Sequence, residues 1–430
     1  MEILNSYNLI ISASAIIIMS FLFGEISRKT NIPSVLLLIV LGIVLKFGLN
    51  AMGAGDLNFF PILEILGIVG LIMIVLEAAL ELELKKEKYW FIGKAFLIAL
   101  VGLMASTWVA ALILHQFIDG MTMTKAWIYA TPLSILSSAI IIPSVTGLKE
   151  AKKEFHIYES TFSDILGIML FYFLTSQIET SGDGHSSGFL GFGLNVILTI
   201  VLSLVASYLI VLIFQNIKSH TKLFLLIAVL LLLYAIGKKM HLSSLIIILV
   251  FGLLIANMKL FFRGRLGKWL KVEKAKQIYE GLHVITVETA FVVRTFFFVI
   301  FGITISLASL ANAQVAVVSI LLLASIYGIR YVILRLSIGK DILPQLFIAP
   351  RGLITILLFY AIPKEAEVVS FEAGILLFII IGTSLIMTFA LIKDKRRTTN
   401  SIRKAAESPI AYERWKAPAI SEVVTEKQDS

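Results

Sequence analysis

The feature that most constrains this chain is that its apolar residues lie in long unbroken runs instead of alternating with polar positions. The runs fall at about 8–24, 32–50, 60–81, 93–117, 126–148, 158–177, 189–216, 222–237, 241–257, 279–307, 313–336, 345–363 and 371–393, thirteen in all. About 20 apolar residues at 1.5 Å rise each are what an α-helix needs to cross a ~30 Å hydrocarbon layer. A helix satisfies its own backbone donors and acceptors there, which an isolated strand cannot do. The 430 residues are 58% hydrophobic and only 15% charged, against about 25% charged in soluble proteins. A soluble enzyme is therefore excluded, and the predicted fold class is an all-α polytopic membrane protein of about 13 transmembrane helices. The absence of cysteine removes disulfides, thiolate metal clusters and thiol chemistry from consideration.

An odd number of crossings puts the termini on opposite sides, so the loop Lys and Arg residues test span count and orientation together. With the N-terminus outside, the inward loops hold 24 basic residues: Arg28 and Lys29; four from Lys85 to Lys94; Lys149, Lys152 and Lys153; Lys218 and Lys222; seven from Lys259 to Lys276; Arg335 and Lys340; and Lys393, Lys395, Arg396 and Arg397. The outward loops hold four, Lys125, Lys238, Lys239 and Lys364. A span missed or invented in the middle would invert everything downstream and erase this bias. The expected topology is N-terminus outside and C-terminus cytoplasmic. The net charge of +9 is then the positive-inside bias of a membrane protein, and no nucleic-acid partner is expected.

The first run lacks a basic leader and a small-residue cleavage site, so it is expected to be a retained span and not a signal peptide. Residues 394–430 are polar, with Lys395, Arg396 and Arg397 at the membrane edge, and are expected to be a short disordered cytoplasmic tail anchored at an anionic lipid surface.

By this threading Lys46, Arg294, Arg330 and Arg351 lie inside spans, and Glu64, Glu77, Glu81, Glu159, Asp164 and Glu288 lie inside or near span ends. Each ionisable group at bilayer depth costs at least ~2.5–3.5 kcal/mol, so a group of them marks an ion or proton path. Lys46, Glu64 and Glu81 are close enough to span ends to reach the interface. Asp164, Glu77, Arg294 and Arg351 sit more than a helical turn inside and require partners or water. Asp164, Glu77 and Arg351 lie about four to six residues from the inner ends of their spans, so they are predicted to meet roughly 6–10 Å from the cytoplasmic face. Arg330 and Arg335 are both candidates to pair with Glu159, a pair of structural character. His156, just before the sixth span, reads as a solvated loop histidine, with cytoplasmic pH sensing as the alternative.

Two spans carry helix breakers at matching places. The fifth contains Thr131, Pro132, Ser134, Ser137, Ser138 and Pro143, and the twelfth contains Pro344 and the run Ala349-Pro350-Arg351-Gly352. Proline removes a backbone donor and releases carbonyls, which hydroxyl side chains can satisfy. Spans seven apart run in opposite directions, so the pattern predicts inverted repeats with two broken, crossing helices that form an ion site near mid-membrane.

These residues resemble the monovalent cation:proton antiporters, and most closely the sodium/proton exchanger branch. The segment Glu159-Ser160-Thr161-Phe162-Ser163-Asp164 is similar to that branch's E-S-x-x-N-D signature, with Ser163 in the Asn place. Leu76-Glu77-Ala78-Ala79-Leu80 resembles F-E-G-A-L, and Ala349-Pro350-Arg351-Gly352 resembles G-L-R-G. Ile32-Pro33 and the run from Gly252 to Asn257 are also similar, so the likeness extends in order over residues 8–393. It implies that Asp164 binds a proton and a cation in turn, that Ser160, Ser163 and Glu77 contribute to the cation site, and that Glu159 pairs with Arg330. It further implies that Arg351 supports the helix crossing and that Arg294 stands where the electrogenic branch has a lysine. Glu288, read as an in-span charge, is expected with Glu159, Arg330, Arg294 and Arg351 among the supporting ion pairs. The family's fifth-span Asp is missing from Leu136-Ser137-Ser138-Ala139-Ile140. The expected division is a transport bundle including spans 126–177 and 313–393 and a scaffold including spans 8–81 and 189–307, within residues 1–393.

If Asp164 must be ionised to hold a cation and empty of it to take a proton, the two ligands compete for one charge and exchange follows. Arg294 stays protonated and cannot act as a proton-releasing lysine. The expected activity is therefore electroneutral 1:1 exchange of Na⁺ for H⁺ by alternating access, with Li⁺ admitted and K⁺ favoured if the missing Asp relaxes selectivity. Other readings are a non-transporting or channel-like relic of the fold and proton-coupled uptake of a solute. No zincin motif, nucleophile elbow or phosphate loop suggests an enzyme, and no cofactor is expected. The resemblance also implies a homodimer embedded in lipid, in the inner membrane of a bacterium.

Overall fold

A computed structural model describes residues 6–30, 32–51, 60–82, 84, 86–180, 189–217, 221–239, 244–262, 272–305 and 312–407. Among the described residues every regular element is helical. In chain order these are α1 (Ser6–Thr30), α2 (Ser34–Ala51), α3 (Phe60–Glu81), α4 (Tyr89–Phe117), α5 (Met123–Ser134), α6 (Ser138–Ser144), α7 (Glu150–Thr180) and α8 (Phe189–Phe214). They continue as α9 (Lys222–Lys239), α10 (Ser244–Ala256), the single turn α11 (Met258–Phe261), α12 (Val272–Thr304), α13 (Ala313–Ser337), α14 (Leu353–Tyr360) and α15 (Gly374–Glu407). Among the described residues ten spans are long and apolar enough to cross a membrane, α5 and α6 counting as one, and α9 and α10 contain shorter apolar stretches. The remaining predicted span is the interrupted segment formed by the 3₁₀ turn Gln345–Phe347 and α14.

The expected disordered tail is corrected in part. The last helix does not stop at 393 but continues to Glu407, because Lys395, Arg396, Arg397, Arg403, Lys404, Ala405 and Ala406 are good helix formers that outweigh the Thr-Thr-Asn-Ser stretch at 398–401. Residues 408–430 lie outside the described residues.

The helices pack in two groups that meet at the site. In one, α12 lies against α2 and α3, and α10 against α3, α8 and α9; in the other, α4 lies against α5, α7 and α13, α13 against α15, and α14 against α5. Helix α3 bridges them through contacts with α7 and α14. Where α2 crosses α12 the backbones nearly touch: a Cβ on Gly42 would strike the carbonyl of Val299, and one on Gly302 the carbonyl of Ile39. Small residues permit this close approach, which matters in lipid because dispersion and not hydrophobic burial holds helices together. The outer faces carry Ile10, Phe21, Val44, Leu209, Phe224 and Phe389, all exposed, as suits a surface solvated by acyl chains. Helices leading into the site are capped from the sequence. Thr122 accepts from the Lys125 N–H at the start of α5, and Asn312 accepts from the Gln314 N–H, at 2.9 Å, at the start of α13.

Candidate ion site

The site is built where two helices stop. Helix α5 ends at Ser134, residues 135–137 are extended, and α6 begins at Ser138. Across from it, residues 348–352 are non-helical between the 3₁₀ turn and α14. The breaks join main chain to main chain, the Ser137 N–H donating to the Pro350 carbonyl at 3.0 Å. Gly352 sits so close to Ser137 that a Cβ there would overlap the serine hydroxyl. Arg351 is 2% exposed and donates from Nε to the Leu133 carbonyl at 2.7 Å and from Nη1 to the Ala349 carbonyl at 3.0 Å. Its charge therefore sits at the C-terminal end of α5, where orphan carbonyls and the helix dipole present partial negative charge. Its own N–H is held by Thr383 Oγ1 of α15, at 3.0 Å.

Asp164 lies midway along α7, 2% exposed, and neither carboxylate oxygen has a hydrogen-bond partner. The hydroxyl and backbone N–H of Ser138, at the start of α6, are its polar neighbours. The carboxylate opens into a cavity of about 20 Å³ lined by Ile74 and Ala78 of α3, Ile168 of α7, Leu249 of α10 and Ile354 of α14. That is room for one water or one small dehydrated ion. A carboxylate removed from water, with Ser138 its only neighbouring donor and neither oxygen in a formed hydrogen bond, is best accommodated carrying a proton or holding a cation. Ile74 and Ala78 of α3 and Ile354 of α14 thus face Asp164, but the three charges predicted to meet do not pair with one another: Glu77 turns to Arg294 and Arg351 to the α5 carbonyls.

The neighbouring hydroxyls serve the backbone. Ser163 Oγ accepts from the Leu136 N–H in the first break, at 3.0 Å. Ser160 donates to the His156 carbonyl at 2.7 Å, Thr131 to Trp127 at 2.8 Å and Ser134 to Ala130 at 2.9 Å. Their protons are committed to helix carbonyls, and what remains for a cation is oxygen lone pairs. Ser163 thereby ties the Asp164 helix to the interruption.

Glu159 and Arg330 form a buried bidentate pair, Nη1 to Oε1 at 2.8 Å and Nη2 to Oε2 at 2.9 Å. Arg330 Nε also donates to the Gln345 carbonyl at 3.1 Å, whereas Arg335 turns to the Gly339 carbonyl. Two expectations are corrected here. His156 is not in a solvated loop: α7 starts at Glu150, so His156 is inside the helix, fully buried, with Nδ1 3.2 Å from Glu159 Oε2. Glu288 does not join a supporting ion pair: it points outward from α12 and, among the described residues, has no charged partner.

Glu77 pairs with Arg294 at 2.9 Å, both partly exposed. They share a cavity of about 50 Å³ with Glu81, Ser138 and Pro143. Ile74 and Ala78 line both this cavity and the one at Asp164, so Glu77 is placed beside the Asp164 site and Glu81 belongs to the same polar pocket. The end of α3 is pinned by Asn257, which closes the family-like run that starts at Gly252, and by Tyr279, which has no sequence signal. Asn257 donates to the Leu82 carbonyl at 2.8 Å and accepts from the Leu84 N–H at 2.6 Å, and the Tyr279 hydroxyl donates to the Leu80 carbonyl at 3.2 Å.

A family model described as "Sodium/hydrogen exchanger, transmembrane" matches residues 15–393. The chain belongs to the sodium/hydrogen exchanger family. It is thus an integral multi-pass membrane protein of the antiporter class. No curated protein matches the sequence. Two solved structures of the sodium proton antiporter MjNhaP1 from Methanocaldococcus jannaschii share the fold of this exchanger-family chain. The one determined at pH 8 superimposes with a TM-score of 0.63 at 18% identity, covering 89% of this chain and 97% of that one. The electron-microscopy structure gives the same score and identity over 97% and 100%.

Proposed function

We propose that the protein exchanges a monovalent cation, Na⁺ by preference, for H⁺ at Asp164, one for one. Carrying this reading is the placement of a buried carboxylate with both oxygens unpartnered, in a cavity sized for one ion, beside the junction of two broken helices. Ionised, Asp164 needs a cation; protonated, it needs none; it cannot hold both, and that exclusion couples the fluxes. Ser138 and backbone oxygens of the breaks supply neutral ligands. Arg294 and Arg351 hold fixed positive charge against Glu77 and the α5 carbonyls and release no proton, so one cycle moves no net charge. Alternating access follows from movement of the group containing α5–α7 and α13–α15 against the group containing α2, α3, α10 and α12, with α3 as the contact between them.

The loop charges support an N-terminus outside and a C-terminus in the cytoplasm of a bacterial inner membrane, and the exposed apolar faces suit lipid and a second copy of the chain. Since the chain has no cysteine, one introduced at Lys149 and one at Lys364 report this topology by impermeant labelling from opposite sides. Labelling of both from one side contradicts it.

The flux test uses the purified protein in proteoliposomes, following lumenal pH by fluorescence dequenching after pulses of Na⁺, Li⁺ or K⁺. Expected is a Na⁺-driven proton flux that collapse of the membrane potential leaves unchanged. A flux that requires an organic solute, or a rate set by the potential, contradicts the reading.

A further inference from the structure

His156 is wholly buried and takes no part in the exchange chemistry above. Its Nδ1 faces Glu159 Oε2, the same carboxylate that Arg330 grips with both guanidinium nitrogens. Arg330 in turn holds the Gln345 carbonyl, and Gln345 opens the 3₁₀ turn that runs into the second break. One chain of contacts therefore leads from the helix of Asp164, through Glu159 and Arg330, to the segment carrying Arg351. Two buried polar atoms without partners border this chain, His156 Nε2 and Gln345 Oε1.

A neutral imidazole has one N–H and one lone pair. With the proton on Nδ1 the ring donates to Glu159 and leaves a bare acceptor at Nε2. A second proton would put an N–H and a full charge where no acceptor stands. The charged groups facing the ring are Glu159 and Lys152 on its own helix and Arg330 from α13; its aromatic neighbour is Phe155. The described conformation therefore suits the neutral ring, and protonation favours any conformation in which Nε2 reaches water or Arg330 moves.

We propose that His156 is a positioning residue: when it is protonated, the Glu159–Arg330 pair loosens its hold on Gln345 and turnover slows, giving exchange an acid limit of its own. The inference rests on Asp164 being the exchange site, where protons also compete with the cation. The two limits separate because raising the cation relieves competition at Asp164 and leaves the His156 limit in place.

The test is the full-length protein in proteoliposomes, wild type beside His156→Asn and His156→Ala, with initial rates over Na⁺ concentration from acid to alkaline pH. Maximal rate and KM are then read separately. Asn keeps a donor near the Nδ1 position and does not titrate. Expected is a His156→Asn variant with the wild-type maximal rate at alkaline pH, an acid limb of that rate displaced by about 1 pH unit or more, and an unchanged dependence of KM on pH. His156→Ala lowers the maximal rate at every pH. Thermal melting in detergent checks folding, and His156→Gln carries the same test where the Asn variant melts early. A wild-type maximal-rate profile in His156→Asn, or a change confined to KM, overturns the inference while leaving the Asp164 reading intact. Absence of Na⁺-driven flux in the wild type overturns both.

Discussion

The Ser137 N–H donates to the Pro350 carbonyl at 3.0 Å, so the two interruptions are tied together by backbone. Side chains then dress that tie: Gly352 leaves room for Ser137, Arg351 caps the end of α5, and Ser163 holds the Leu136 N–H. Asp164 is one residue beyond Ser163 and takes its position from this arrangement.

Gly352→Ala tests the tie. The added methyl would overlap Ser137 Oγ and press on Ile140, an overpacking that typically costs about 1–3 kcal/mol. The expected outcome is a folded protein with exchange reduced at least several-fold, and partial recovery in the double variant Gly352→Ala, Ser137→Gly, which removes the opposing side chain. Full activity in Gly352→Ala would show that the breaks tolerate separation.

Arg330→Ala strands the Glu159 carboxylate in a buried site, where loss of one partner costs about 3–5 kcal/mol. A large drop in melting temperature in detergent is expected. Arg330→Lys should not restore it, because an ammonium cannot make the bidentate contact and also reach Gln345. Replacing both partners, Arg330→Met with Glu159→Leu, should melt closer to wild type than Arg330→Ala does.

How far the sequence disclosed this arrangement depends on what each residue signals. Apolar run length marked the spans because lipid imposes a strong and uniform demand on length. Asp164, Glu77, Arg294, Arg330 and Arg351 stood out as charges that lipid rejects. His156 was misplaced because α7 starts eight residues before its apolar run, over a polar stretch, Glu150–Ile157, that hydropathy reads as loop. With the helix start known, its i,i+3 relation to Glu159 would have been apparent. Glu288 shows the converse: depth along a span says nothing of which face a residue occupies, and it faces outward. Gln345, Thr383 and Tyr279 act through backbone contacts made in three dimensions, which leave little trace in residue type.

Arg294→Gln removes the positive charge from the cavity shared by Glu77, Glu81 and Ser138. The pair it breaks is partly exposed, so stability should fall by at most about 1 kcal/mol. Apparent KM for the cation should fall about two- to fivefold, equivalent to ~0.4–1 kcal/mol of attraction at the high effective dielectric of such a site. Initial rates over a Na⁺ series measure it, and a raised KM would mean that Arg294 positions the site instead of opposing the cation.

The central claim is that one carboxylate serves both ions, and Asp164→Asn addresses it most directly. Asn keeps the size and polarity of the side chain but can neither release a proton nor balance a cation. Proton flux should be followed in proteoliposomes after a saturating Na⁺ pulse, with melting temperature as the check on folding. The account predicts a folded protein with no Na⁺-driven flux at any pH; Na⁺-driven exchange at the wild-type rate in Asp164→Asn would contradict it.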